Sequence, residues 1–215
     1  QIVLADEINR TSPKTQSSLL EVMEEGQVTV DGTTYRMPSP FIVLATQNPV
    51  DFVGTYPLPE AQLDRFFMRV SIGYPSQEEE IDILERYTSG ARPMEELKPI
   101  CSSQDIVKLQ QQVDTVYTSR EVRAYISAIA AASRRNGALQ LGVSTRAAIS
   151  LLRAGQARAL LMGRDYVSPE DIQKMAEPVL AHRLVLSPEA RMRNMTAQRV
   201  LGNILGSVQV PVKAR

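Results

Sequence analysis

The sequence predicts an α/β protein in which an open parallel sheet is followed by a bundle of helices. Two apolar runs of strand length, at residues 1–7 and 41–46, end in polar side chains, and a helical pattern and a hairpin lie between them. Such alternation is typical of open α/β sheets, whose short strands are buried on both faces. After residue 75 the pattern is helical. We therefore expect an α/β domain at residues 1–75 and a helical domain at residues 76–215.

The first strand delivers two adjacent carboxylates, Asp6 and Glu7, at its carboxyl end. Open α/β sheets bind their ligands at this edge. Adjacent strand residues point to opposite faces, so we expect the two carboxylates to differ in role. Asp6 can hold a Mg²⁺ that bridges nucleotide phosphates, and Glu7 can orient or deprotonate an attacking water. For this stretch alone, the alternative interpretation is a solvated strand end.

A helix and a hairpin follow the carboxylates. We expect Ser12 to cap a helix that begins at Pro13 and ends near Glu25. Asp31-Gly32, between two β-prone runs, is the strongest short hairpin signal available. The helical residues that we expect to be buried are Leu19, Leu20, Val22 and Met23.

The second strand, at residues 41–46, is followed by Gln47-Asn48-Pro49. It therefore delivers a polar side chain, Asn48, to the same edge as the first strand. A turn residue before proline is the alternative interpretation of Asn48. Beyond a loop rich in Gly and Pro, we expect a short helix from Glu60 and a further strand at residues 68–72.

Three motifs in this order resemble the second half of an AAA+ ATPase core, and specifically the MoxR family. They are Asp-Glu-Ile-Asn-Arg at 6–10, Ala-Thr-Gln-Asn-Pro at 45–49 and Leu-Pro-Glu-Ala-Gln-Leu-Asp-Arg-Phe at 58–66. In the family these positions belong to the Walker B strand, the sensor-1 strand and the segment with the arginine finger. The hairpin resembles the pre-sensor-1 hairpin, and residues 76–215 resemble the all-α lid.

The sequence departs from the family in its phosphate-binding loop. No glycine of this chain is followed by lysine, so the Walker A pattern G-x-x-x-x-G-K-[ST] is absent. The resemblance thus implies a partial P-loop NTPase sheet that keeps the hydrolysis half of the site. We expect these 215 residues alone to be inactive, and the enzyme to be a longer parent protein.

The resemblance implies ATP and Mg²⁺ as cofactors and assigns a role to each polar residue. Asp6 would place the Mg²⁺, Glu7 would polarise the water, and Asn48 would fix that water relative to the γ-phosphate. Arg65 would be an arginine finger for the neighbouring subunit, typically worth ~10³–10⁵ in rate. Arg69 is the second candidate for the finger.

Arg146 stands two residues after the predicted N-cap Ser144, where the helix dipole disfavours a cation by a few tenths of a kcal/mol. An arginine accepted beside free backbone amides makes an anion site. In the family, Gly-Val-Ser-Thr-Arg at 142–146 matches the sensor-2 position, which touches the γ-phosphate. A surface arginine is the alternative, and whether Arg146 acts in its own subunit or the next stays open.

Ser119, Ser144 and Ser168 are predicted to cap three of the lid helices. The single histidine, His182, cannot form a metal cluster, so we interpret it as structural. The side chains that share one stripe of the helix after Ser119 are Val122, Tyr125, Ile126, Ile129 and Ala130.

Composition limits the partners. Lys and Arg number 24, as do Asp and Glu, so no basic field attracts nucleic acid or anionic membranes. No apolar run approaches the ~18 residues of a membrane span. The only cysteine, Cys101, fits a reducing cytoplasm. The resemblance implies a hexameric ring that acts on proteins with von Willebrand factor A domains.

Two other functions remain open. The same core serves DNA motors related to MCM-like helicases, with the hairpin as the strand-contacting element. That hairpin carries one base, Arg36, against Asp31, whereas affinity for nucleic acid scales with the phosphates neutralised. Alternatively, a chain without a P-loop acts as a non-catalytic fragment or scaffold.

Overall fold

The structure, a computed structural model, describes residues 2–47, 56–89 and 97–211. Its first elements are β1 (Ile2–Ala5), a 3-10 turn (Ile8–Arg10), α1 (Pro13–Glu25), β2 (Gln27–Val30), β3 (Thr33–Arg36), β4 (Ile42–Ala45), α2 (Glu60–Leu63) and α3 (Gln77–Thr88). The later elements are α4 (Ser103–Thr115), α5 (Arg120–Arg134), β5 (Leu139–Leu141), α6 (Thr145–Leu161), α7 (Pro169–Leu180), a 3-10 turn (Ala181–Arg183), β6 (Val185–Leu186), α8 (Pro188–Met192) and α9 (Ala197–Ser207).

Strands β1 and β4 pair in parallel, in a register that places Ile2 beside Ile42 and Ala5 beside Ala45. The predicted parallel sheet is therefore confirmed. The expected burial of the first strand is wrong for this chain, since Ile2 and Leu4 are 69% and 64% exposed. The sheet has two strands within the described residues, and a parallel strand is buried only where layers cover both faces.

Helix α1 and the hairpin match their local signals. Ser12 Oγ accepts a hydrogen bond from Thr15 N, and the helix ends where Gly26 adopts a left-handed conformation with φ 61°. Strands β2 and β3 join through Asp31 and Gly32, which both have positive φ. Of the side chains expected to be buried, Leu20 is fully enclosed, and the other three are half-buried.

The strand expected at residues 68–72 is absent, although all five residues are described. Arg69 N donates to Pro178 O at 2.8 Å, so this amide bonds to the end of α7 instead of to a strand. Val70 and Ile72 are 71% and 99% exposed. Their β-branched shape favours a strand only where a neighbouring strand supplies hydrogen bonds and packing.

The main hydrophobic core of the described residues lies among α5, α6, α7 and α9. All five side chains of the predicted stripe in α5 are at most 5% exposed. The caps Ser119, Ser144 and Ser168 are confirmed. The small antiparallel pair of β5 and β6 was not predicted, because strands of three and two residues carry no periodicity. None of the helices in the described ranges combines the length and apolar character that crossing a bilayer requires.

The buried carboxylate of Asp171 forms ion pairs and hydrogen bonds at the edge of this core. Its side chain is fully buried and forms ion pairs with Arg158 and with Arg164, whose Nη2 lies 2.6 Å away. Ser168 N and Oγ also donate to the carboxylate, at 2.8 and 2.9 Å. Burial raises the pKa of the Asp171 carboxyl, but the hydrogen bonds from Arg164, Ser168 and Arg158 outweigh burial and hold that pKa well below its usual value.

We expect Asp171→Asn to lower the free energy of unfolding by about 3–5 kcal/mol, because it leaves two cations beside a buried neutral amide. Because the folded pKa is depressed, the carboxylate contributes fully at neutral pH, and its contribution disappears as the pH falls below about 4. Urea unfolding followed by circular dichroism at several pH values measures both effects. Asp165→Asn, at an exposed position on the same segment, is the matched control. Equal stability of the two variants would contradict the assignment.

Candidate functional site

Thr46 links the carboxyl ends of β1 and β4. Its hydroxyl donates to Asp6 Oδ1 at 2.6 Å and accepts from Glu7 N at 2.8 Å. The backbone continues the link, because Thr46 N donates to Ala5 O and Ile8 N donates to Thr46 O, both at 3.0 Å. One threonine therefore fixes the carboxylate of Asp6 and the backbone of Glu7 relative to each other.

Glu7 leaves the strand in a left-handed conformation, with φ 47° and ψ 53°. This conformation costs a residue other than glycine roughly 1–2 kcal/mol. Glu7 Oε2 lies 2.9 Å from Arg10 Nε, so its carboxylate is ion-paired within the same turn.

A buried amide holds the chain behind this turn. Gln16 is 2% exposed, and its Nε2 donates to Ile8 O at 3.2 Å and to Tyr56 O at 2.9 Å. Tyr56 N in turn donates to Asn9 O at 2.6 Å. The segment after Glu7 is thus fixed by polar contacts to α1 and to the residues before α2.

The donor set at this edge fits Mg²⁺. That ion is commonly held by one or two carboxylates together with substrate phosphates and waters, and Asp6 is an exposed carboxylate at the strand end. No cluster of three or more His, Cys, Asp or Glu side chains that suits a metal occurs in residues 2–47, 56–89 and 97–211. Asn48 lies outside the described residues, so its predicted place beside Asp6 stays a prediction.

Arg65 and Arg146 meet on a single carboxylate. Arg65 Nη1 lies 3.1 Å from Glu24 Oε2, and Arg146 Nη2 lies 3.0 Å from Glu24 Oε1. The Arg146 side chain is 54% exposed and that of Arg65 is 34% exposed. Two guanidinium groups on one carboxylate leave a net positive charge at the surface. This cluster can therefore receive an anion.

The arginine cluster and the carboxylates lie at opposite ends of α1. Glu7 precedes the helix by six residues, whereas Glu24 stands in its last turn. At 1.5 Å per residue, α1 separates its first residue, Pro13, from Glu24 by roughly 16 Å. The structure thus brings the two arginines together on Glu24.

Asp64 and Arg65 are adjacent in the chain but have different partners. The Asp64 carboxylate pairs with Arg183, whose Nε lies 3.2 Å from Oδ1, rather than with Arg65. Both carboxylate oxygens also lie 3.3 Å from the Ser144 hydroxyl. Asp64 therefore turns towards the helical part of the chain, while Arg65 points to α1.

His182 lies at the same junction. Its Nε2 is 3.3 Å from Phe66 O. Burial and the charge of Arg183 lower the pKa of His182, and the contact with Phe66 O opposes them. The imidazole is therefore neutral at neutral pH. A cavity of about 520 Å³ at this junction is lined by Glu60, Asp64, Arg134, Ser144 and Arg183 among others.

Known proteins share both parts of the chain. Residues 1–68 match the ATPase family associated with various cellular activities (AAA), and residues 131–204 match the AAA lid domain. The chain is 40% identical to the chaperone MoxR1 of Mycobacterium tuberculosis, over 97% of this chain and 57% of that protein. This chain belongs to the MoxR family of AAA+ ATPases. The predicted fold, a parallel sheet followed by a helical lid, is confirmed with it.

Two further likenesses cover nearly the whole MoxR-type chain. It is 51% identical to protein YeaC of Bacillus subtilis, over 99% of this chain and 66% of that protein. The crystal structure of a protein from Cytophaga hutchinsonii superposes with a TM-score of 0.91 at 39% identity, covering 98% of this chain and 66% of the other. The chain thus spans 57–66% of the length of these relatives.

Four polar residues of the MoxR-type site were missed by sequence reasoning or placed in other roles: Thr46, Glu24, Arg183 and Ser144. Thr46 is the last residue of a predicted strand, and that position was a usable signal. Ser144 was predicted only as a helix cap. Glu24 and Arg183 carry no local signal, since their partners lie far away in sequence.

We expect Thr46→Val to slow ATP hydrolysis about tenfold or more in a chain extended upstream through a P-loop. The valine leaves Glu7 N without its acceptor and Asp6 without its donor, a loss worth roughly 1–3 kcal/mol. Thr46→Ser keeps the hydroxyl and should retain turnover. Steady-state phosphate release measures both variants, and a valine variant as fast as the serine variant would refute the role of Thr46.

Proposed function

We propose that this chain is the hydrolysis half and lid of a Mg²⁺-dependent ATPase that works as a ring on protein partners. The observation that carries the proposal is the ion pairing of Arg65 and Arg146 with one carboxylate, that of Glu24. Two carboxylates, Asp6 and Glu7, precede the helix, and two arginines gather at Glu24 near its end. In a ring of identical subunits, the arginines of one subunit reach the nucleotide beside the carboxylates of the next.

The carboxylates serve the nucleotide of their own subunit. Asp6, oriented by Thr46 Oγ1 at 2.6 Å, would hold the Mg²⁺. When bound, that ion neutralises charge that develops on the β- and γ-phosphates. Glu7 exchanges its ion pair with Arg10 for the attacking water, which it orients and deprotonates. Asn48 fixes that water.

The arginines serve the nucleotide of the neighbouring subunit. Arg65 acts as the finger and Arg146 as the sensor, and both leave Glu24 for the γ-phosphate because a phosphate offers more negative charge than one carboxylate. Their common place on Glu24 favours action of both residues in trans. Arg69 contributes its backbone to the junction with α7 and is the weaker candidate.

A contact between two different surfaces is heterologous, and copies joined in this way close into a ring when the rotation allows it. We propose six subunits, with a domain boundary near residue 75 in each. Proteins with von Willebrand factor A domains are the proposed clients. We place the ring in the cytoplasm, which an exposed free thiol at Cys101 fits.

We expect Glu7→Gln, in a chain extended upstream through a P-loop, to bind ATP as the parent does and to lose hydrolysis. The amide keeps the shape of the side chain but cannot take a proton from water. Binding of a fluorescent ATP analogue and phosphate release measure the two properties. Glu21→Gln, on α1, is the matched control. Unchanged turnover of Glu7→Gln would sink the role given to Glu7. The chain without a P-loop should bind ATP poorly.

We expect Arg65→Ala and Glu7→Gln subunits to be inactive separately and active when mixed. In a mixed ring, the Arg65→Ala subunit keeps its carboxylates and receives an intact arginine from its Glu7→Gln neighbour. The same should hold for Arg146→Ala if it acts in trans. Turnover measured against the mixing ratio tests this. Mixtures no faster than their components, at concentrations where rings form, would exclude action in trans.

A further inference from the structure

Arg183 is a buried cation that donates two hydrogen bonds to one turn. The residue is 5% exposed, and its Nη2 donates to Phe66 O at 2.7 Å and to Asp64 O at 3.2 Å. Its Nη1 donates to Val179 O at 3.0 Å. The two carbonyl groups bound by Nη2 belong to the residues on either side of Arg65. Arg183 therefore binds the backbone on both sides of Arg65, the proposed arginine finger.

Asp64 connects Arg183 to α6, the helix that carries Arg146. Asp64 Oδ1 lies 3.2 Å from Arg183 Nε, as an ion pair without the alignment of a hydrogen bond. Asp64 also accepts from the hydroxyl of Ser144, which caps α6 two residues before Arg146. One buried guanidinium and one carboxylate thus connect the turn of Arg65 to the first turn of α6.

Two neighbouring contacts hold the same turn in place. His182 Nε2 lies 3.3 Å from Phe66 O, and Arg69 N donates to Pro178 O at 2.8 Å. The turn is therefore attached at several backbone positions to the end of α7. By contrast, the side chain of Arg65 pairs with Glu24 of α1 at a surface that is about one-third exposed.

We propose that Arg183 is a positioning residue that sets the separation of Arg65 and Arg146, so that both reach one phosphate of the neighbouring subunit. A buried ion pair adds little stability compared with apolar side chains of the same volume. We therefore assign to the pair of Arg183 and Asp64 the task of fixing the position of the turn that carries Arg65. Arginine suits this task because its planar fork binds several acceptors in fixed directions, whereas lysine binds as a point charge. The inference rests on the proposed action of Arg65 in trans.

The test uses Arg183→Lys in a chain extended upstream through a P-loop. We expect the variant to assemble and to bind ATP as the parent does, while turnover falls roughly 10–100-fold, the scale of a displacement of about 1 Å. Mixing with Glu7→Gln subunits should restore turnover, because their intact arginines serve the intact carboxylates of the Arg183→Lys subunits. General damage to the fold would not be repaired by a neighbour.

Two comparisons give each outcome a meaning. Arg134→Lys is the matched control, because Arg134 lines the same cavity but donates to Val143 O, and its turnover should not change. If mixing restores Arg65→Ala but not Arg183→Lys, the positioning role is refuted and the proposed function survives. If mixing fails to restore Arg65→Ala, the proposed function itself fails.

A second variant covers the case in which Arg183→Lys does not fold. Asp64→Asn removes the charge at a side chain that is 24% exposed, and it keeps the shape of the turn. We expect a smaller loss of turnover with the same restoration by Glu7→Gln subunits. Asp64→Asn with the full turnover of the parent would overturn the proposal.

Discussion

The contacts between Arg183 and the turn at residues 64–66 join segments about 120 residues apart. The proposed placement of Arg65 and Arg146 depends on these contacts. The described residues before α3 make few other contacts that could fix their position relative to the later helices. Of their apolar side chains, only Ile8, Leu20, Pro40 and Leu58 are buried, whereas the helices have a large common core. Directional polar contacts therefore determine where the two parts meet. A hydrophobic contact would tolerate sliding, and a guanidinium bound to two carbonyl groups does not.

Much of the fold could be predicted because its signals are local. A cap such as Ser119 bonds to an amide three residues later, and Asp31-Gly32 bends the hairpin by its own conformational preference. The edge with Asp6 was predictable for a related reason. Parallel strands end at the same side of a sheet, so a carboxylate after one strand and a polar side chain after the next belong to one place.

The other features of the fold and the site depend on contacts between residues far apart in sequence, which local patterns do not indicate. Residues 68–72 have the composition of a strand, but the Arg69 amide bonds to Pro178 near the end of α7. No strand of the described residues includes residues 68–72. Glu24 is one of several acidic residues of α1, and only the fold selects it as the partner of Arg65 and Arg146. The pairing of Asp64 with Arg183 instead of Arg65 is likewise a consequence of the lid's position. Local sequence patterns therefore do not indicate the contacts that place Arg65, Arg146 and Asp64.

The different burial of the two arginine groups gives them different responses to ionic strength. Glu24 and its two cations are partly in water, where physiological salt screens charges over about 8 Å. Arg183 is enclosed, so dissolved ions reach it poorly. Added salt should therefore loosen Arg65 and Arg146 from Glu24 while the turn that carries Arg65 keeps its place. The backbone of Arg65 then stays in place when its side chain leaves Glu24. The proposed exchange of the Glu24 carboxylate for a phosphate of the neighbouring subunit therefore requires no change in the backbone.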